Sequence, residues 1–150
     1  MLHVTAADPA SADARPLIRE LDAYLTALYP AESNHLLSVD ALRGPNVTFV
    51  LARTAGVAVG CGAVVHHDGY AEVKRMFVRP AFRGQRIGAL ILGELERRAR
   101  QAGLTVARLE TGVAQPEALA LYERAGYVRR GPFGDYPDDP LSVFMEKSLA

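Results

Sequence analysis

The apolar positions along this 150-residue chain change period several times, and each change marks an element. Leu17, Ile18, Leu21, Leu25 and Leu28 recur three and four apart, as on one helical face, which predicts a helix over Ala14–Leu28 with Pro30 as its stop. Before it, "LHVTAAD" reads as a short strand. "YPAESNHLLSVDALRGPN" keeps no period and reads as a loop with one helical turn over 38–42. Three strand signals follow. "NVTFVLAR" is rich in β-branched and aromatic residues, "GVAVGCGAVVHH" comes after a turn at 54–56, and "YAEVKRMFV" comes after Asp68-Gly69, a strong hairpin signal. They predict an antiparallel meander.

The period then returns to helical in "RPAFRGQRIGALILGELERRARQAG". Ile87, Leu90, Ile91, Leu95 and Ala99 trace one face, and Gly103 stands where the helix ends. "TVARLETG" reads as a strand. "QPEALALYERAGY" reads as a helix with Pro116 in its first turn and Gly126 past its end. A strand start at "GYV", a loop rich in Gly, Pro and Asp, and a closing strand over 141–147 complete the chain. The strand–helix–strand unit over 70–110 predicts one parallel pair in a mostly antiparallel sheet. There is no internal repeat, and the length fits one domain over 1–150.

Composition narrows the classes. Hydrophobic residues make up 49% and charged residues 23%, as in soluble globular domains. Seventeen basic and 17 acidic residues cancel, which argues against a nucleic-acid partner that would need many phosphates neutralised. Basic side chains do gather locally, at Lys74, Arg75, Arg79, Arg83 and Arg86. The single cysteine, Cys61, leaves no intramolecular disulfide and reads as a buried small hydrophobe. No basic-then-apolar leader and no membrane-length run is visible, so the expectation is a cytoplasmic protein with no membrane partner. His66 and His67 are adjacent on a strand and point to opposite faces, and neither His3 nor His35 has helpful spacing, so no metal is expected.

The turn Arg83-Gly84-Gln85 feeds straight into a helix. Helix starts expose unpaired N–H groups, Gly84 permits a positive φ, and Gly88 and Ala89 are small, so an anion could lie against the first turn. An arginine-rich cap facing water explains the same residues, and the turn alone does not decide. Neither the nucleoside-triphosphate loop G-x-x-x-x-G-K-[ST] nor the dinucleotide motif G-x-G-x-x-G after a strand occurs.

The wider context decides more. "AEVKRMFVRPAFRGQRIGALIL" followed by "LETGVAQPEALALYERAGY" resembles the GNAT superfamily of acetyl-coenzyme A-dependent N-acetyltransferases, closely over 70–128 and more loosely elsewhere. The resemblance implies an α/β (α+β) fold. Its central sheet would be mixed but mostly antiparallel, with six to seven strands flanked by about four helices. It implies acetyl transfer from acetyl-coenzyme A to a primary amine of a small molecule or peptide, by direct attack in a ternary complex without a metal. The family's phosphate loop usually reads Q/R-x-x-G-x-G/A; here it runs from Arg83 to Gly88, with Arg86 where glycine is usual. The implied coenzyme contacts are the backbones of Met76, Phe77 and Val78, the segment Arg83, Gly84, Gln85, Arg86, Ile87, Gly88 and Ala89, and Gln115 in place of a common asparagine. Arg86 keeps its N–H, so the cradle survives if that position is already helical. Its side chain either adds a phosphate contact or points to solvent.

Tyr122 matches the family's general acid, and Glu72 matches the glutamate that serves as base in one branch. Glu110 is a rival base, and water could relay for either. Phe133, Tyr136 and Asp138 in the loop before the last strand would shape the acceptor pocket, and Asp135, Asp138 and Asp139 would attract a cationic amine; a solvated turn explains them equally. A coenzyme-binding sensor or scaffold without catalysis is the alternative of another class, and a different acyl chain is a third. Dimers are common among relatives, which leaves a homodimer open.

Overall fold

A computed structural model describes residues 1–34 and 38–150. His35 and part of the expected loop lie outside the described residues. The chain forms β1 (Leu2–Ala6), α1 (Ala14–Leu28), α2 (Val39–Leu42), β2 (Val47–Thr54), β3 (Val57–His66), β4 (Ala71–Val78), α3 (Ile87–Gln101), β5 (Val106–Gly112), α4 (Pro116–Arg124), β6 (Val128–Arg130) and β7 (Ser142–Ser148). One seven-stranded sheet carries them in the order β1-β2-β3-β4-β5-β7-β6. Its single parallel pair is β4–β5, and every other neighbour is antiparallel. The expected meander, parallel pair and four helices are all present. The closing strand starts one residue later than expected, at Ser142, and it inserts between β5 and the short edge strand β6.

Helices cover both faces of the sheet. Ala14, Leu17, Ile18 and Leu21 of α1 pack with Phe49, Leu51, Cys61, Ala63 and Phe77 on one face. Ile87, Ile91, Leu92, Leu95 and Ala99 of α3 pack on the other, against Val50, Val59 and Val64. Each such buried aliphatic side chain contributes about 1.5–3 kcal/mol. Cys61 belongs to this interior. Its thiol donates to the Arg75 carbonyl at 3.3 Å, and burial pushes it up to about 12, which fits the buried small hydrophobe.

Two glycines of β3 set the depth of α3. A Cβ at Gly60 would meet Ile91 at 2.9 Å, and one at Gly62 would meet Ile91 at 2.8 Å, so any side chain there would lift the helix off the strand.

The functional opening begins where the parallel pair fails. β4 and β5 share only the register Ala71↔Ala107, Glu72↔Arg108 and Val73↔Leu109. Past it, β4 bulges at Arg75, whose φ is 59°, and its register against β3 shifts between Cys61 and Ala63. A bulge bends its strand and adds twist. Beyond Val73, β4 therefore leaves β5, and one of its edges carries no strand among the described residues.

Candidate active site

Two cavities occupy the wedge. The larger, about 800 Å³, runs between the end of β4, the turn before α3, and α4; its walls include Phe77, Val78, Arg83, Gly84, Ala118 and Leu121. The smaller is a recess of about 80 Å³ on the α1 side, lined among others by Leu25, Tyr29, Lys74, Glu110 and Leu141. Leu21, Met76, Gln115 and Tyr122 line both. The two cavities therefore meet beside one tyrosine.

At the head of the larger cleft, the N–H groups of residues 84–89 meet no protein acceptor among the described residues. Arg83, Gly84, Arg86, Ile87, Gly88 and Ala89 line the cleft, whereas Gln85 is exposed and lies outside it. Gly84 has φ of +82°, with open space where a Cβ would stand. Gly88 serves helix packing as well, since a Cβ there would meet Leu121 of α4 at 3.1 Å. Arg83 folds back: its Nε donates to the Val78 carbonyl at 2.9 Å, and its guanidinium lies over the Tyr24 and Phe77 rings.

The condition set for Arg86, that the position be already helical, is not met, although its N–H still meets no protein acceptor among the described residues. Arg86 is the residue before the helix, with φ 62° and ψ 19° in the left-handed region. This conformation accounts for glycine being usual at the position, because a side chain there costs about 1–2 kcal/mol. Arg86→Gly is accordingly expected to stabilise the fold by about 1 kcal/mol. It should leave acetyl-coenzyme A affinity within about threefold if the backbone alone serves, which calorimetric titration and thermal melting will check; a tenfold loss would assign the side chain a phosphate contact.

The recess is polar, with Ser33, Asn34, Lys74, Glu110 and Gln115 in its walls. Glu110 of β5 accepts a hydrogen bond from Ser142 Oγ at 2.7 Å, and burial pushes its carboxyl up to about 7. Glu72 sits across the splay on β4, more deeply buried than Glu110, but outside the walls of the recess. Its carboxylate accepts from Lys74 Nζ at 3.3 Å and from Tyr136 Oη at 2.5 Å, and its Oε1 lies 2.9 Å from His67 Nε2. Lys74 and His67 are thus both partners of a carboxylate that is buried.

Tyr122 is buried, stands edge-on to Tyr127, and has its phenol pushed up by burial. Tyr29, which the sequence did not single out, reaches over from the end of α1. Its hydroxyl accepts from Ala114 N and donates to Gln115 Oε1, each at 3.1 Å. Gly112 makes this possible, since a Cβ there would overlap the Tyr29 hydroxyl. In the loop before β7, Phe133 is buried against Tyr70 and Phe144, Tyr136 reaches Glu72, and Asp139 accepts from Ser33. Asp135 and Asp138 are exposed. His66 and His67 diverge as expected, toward Thr48 and Glu72 respectively.

A family model described as the Acetyltransferase (GNAT) family matches residues 14–127, which include the cleft, the turn and the three helices that wall it. The chain belongs to the GNAT acetyltransferase family. It is 55% identical over 135 residues to the IAA acetyltransferase of Azospirillum brasilense, covering 89% of this chain and 88% of that one. It is 32% identical over 151 residues to the uncharacterised N-acetyltransferase YsnE of Bacillus subtilis, covering 99% and 100%. Among solved structures, a Klebsiella pneumoniae protein assigned to the acyl-CoA N-acyltransferases superposes with a TM-score of 0.85 at 41% identity, covering 100% and 99%. The PaiA N-acetyltransferase of Thermoplasma acidophilum, solved with coenzyme A, shares the fold at 16% identity and a TM-score of 0.71, covering 99% of each chain. This GNAT chain is therefore an acyltransferase, with the seven-stranded sheet and four helices expected of the fold. No helix among the described residues is long and apolar enough to cross a membrane.

Proposed function

We propose that this GNAT protein transfers the acetyl group of acetyl-coenzyme A directly to a primary amine, both substrates being bound at once. The observation that carries the reading is the junction of an 800 Å³ cleft and a polar recess at Leu21, Met76, Gln115 and Tyr122. The residues fit the coenzyme. The unpaired N–H groups of 84–89 and the α3 dipole suit its pyrophosphate. The strand edge of β4 that β5 leaves past Val73 suits its pantetheine arm, along Met76, Phe77 and Val78. Gln115 has its side-chain oxygen engaged by Tyr29, which leaves its NH₂ to donate into the cleft. Bound acetyl-coenzyme A supplies the thioester.

The recess receives the amine. A free alkylamine is mostly protonated near neutrality, with a pKa of about 10.4, so it must first give up a proton. Of the two carboxyls, Glu110 lines the recess, and Glu72 is held behind it by Lys74, Tyr136 and His67. Glu110 is the base in this reading, and Glu72 positions Lys74 and Tyr136. The ammonium passes a proton to Glu110, and the freed nitrogen attacks the thioester carbonyl and forms the C–N bond. The C–S bond breaks as the thiolate takes the Tyr122 proton. The nitrogen's second proton then restores the tyrosine, and Glu110 returns its own to water. A carboxyl titrating near 7 suits this exchange, because a base is most effective when its pKa lies near the working pH.

A screen of amines with acetyl-coenzyme A, read by thiol release, tests the function. Amine-dependent release with intersecting initial-rate patterns is expected. Tight coenzyme binding without transfer to any amine would favour the sensor or scaffold instead.

A further inference from the structure

We propose that the acceptor is a free small amine, and not an amine carried on a polypeptide; this rests on the acetyl-transfer reading above. An amine at a peptide N-terminus or on a lysine brings flanking backbone with it. That backbone needs either a trough between the segments that border the recess or a strand edge to pair with.

The bordering segments are fastened to one another instead. Ser33, which follows α1 and helps wall the recess, donates to Asp139 Oδ2 at 2.5 Å, and Asp139 lies two residues before the recess residue Leu141. Tyr136 joins the same loop to β4 through Glu72 and Lys74. Tyr29 joins the end of α1 to the segment between β5 and α4, through Ala114 and Gln115. Asp139 also caps its own loop by accepting from Leu141 N at 2.9 Å. Among the described residues, the segments that border the recess are thus tied to segments distant in sequence.

One edge of each bordering strand is also taken. β5 pairs with β7 along its length on one side, and β4 pairs with β3 on the other. Of the edges freed by the splay, that of β4 runs from the recess into the coenzyme cleft, where the pantetheine arm belongs, and that of β5 offers the recess only Glu110, Thr111 and Gly112. The recess itself, about 80 Å³, is roughly half the ~150 Å³ that admits a benzene ring. It holds an ammonium group and a few attached atoms, and no run of residues.

The test uses the full chain with saturating acetyl-coenzyme A and reads thiol release. Short alkylamines and amino alcohols are compared with pentapeptides offering a free N-terminus or a single lysine. The best small amine is expected to exceed the best peptide at least 100-fold in kcat/KM. Peptides within tenfold of the small amines would overturn the proposal while leaving the transfer reading intact. No release with any amine would overturn both. As a second arm, Ser33→Ala combined with Asp139→Ala unfastens the rim and should raise the peptide-to-small-amine ratio at least tenfold. An unmoved ratio in a folded variant would contradict the clasp. A variant that does not fold is replaced by Ser33→Ala alone, with the same two readings.

Discussion

Glu110→Gln is expected to lower kcat about 100- to 1,000-fold, the range of a lost general base, while stabilising the protein at alkaline pH. Both effects come from the same burial. The Glu110 carboxyl titrates at about 7 in the folded chain against an ordinary value of 4.5. Its neutral form is the one the fold favours, so its contribution to stability is full below about pH 4.5 and is lost as pH rises through about 7. At pH 8 the wild type bears the whole cost of an ionised buried carboxylate, roughly 3 kcal/mol, and the amide does not. The variant should therefore melt several degrees higher than wild type at pH 8 and show little gain at pH 4.5. Activity runs the other way. The base works only when ionised, so kcat/KM of the wild type should climb to a plateau above about pH 7, and the variant should lose that limb. Unchanged turnover with chemistry rate-limiting would return the role to Glu72 or to water.

Tyr122→Phe is expected to lower kcat about 100-fold, with acetyl-coenzyme A affinity and melting temperature nearly unchanged. The hydroxyl makes no hydrogen bond to the protein among the described residues, so its removal strands no buried partner. Burial keeps the phenol protonated, as a donor must be. The effect belongs at the low end of acid catalysis because a thiolate, with a reference pKa near 8.5, already leaves well. A thioester of a more acidic thiol should narrow the gap between variant and wild type. A gap of the same size with both thioesters would make Tyr122 a packing residue.

Local pattern carried most of the fold. The 14–28 helix, the Asp68-Gly69 hairpin and the start of α4 at Pro116 are set by periodicity and by turn residues acting within a few positions. What stayed hidden depends on pairs far apart. Gly60 and Gly62 look like weak points in a strand until α3 is laid across them. Tyr29 looks like the residue after a helix until it settles over Gly112, more than 80 positions away. The insertion of β7 between β5 and β6 leaves no trace in either strand's own pattern. The site divides in the same way. The turn at 83–88 was legible from its residues, and the resemblance supplied the partner proposed for it. The left-handed state of Arg86 was not, because nothing in the sequence marks an arginine for it. In the proposed mechanism the preference for Glu110 over Glu72 rests on which carboxyl lines the recess, and that follows from the bulge at Arg75 and the splay beyond Val73.

Titration of acetyl-coenzyme A into the protein by calorimetry, beside the variant Ala89→Trp, tests the central assignment of the cleft most directly. Ala89 lines the cleft at the first turn of α3 and is exposed, so an indole there fills the coenzyme's path without disturbing the core. One equivalent should bind to the wild type, and Ala89→Trp should weaken binding at least tenfold with its melting temperature unchanged. No binding by the wild type, or equal affinity in both proteins, would contradict the assignment.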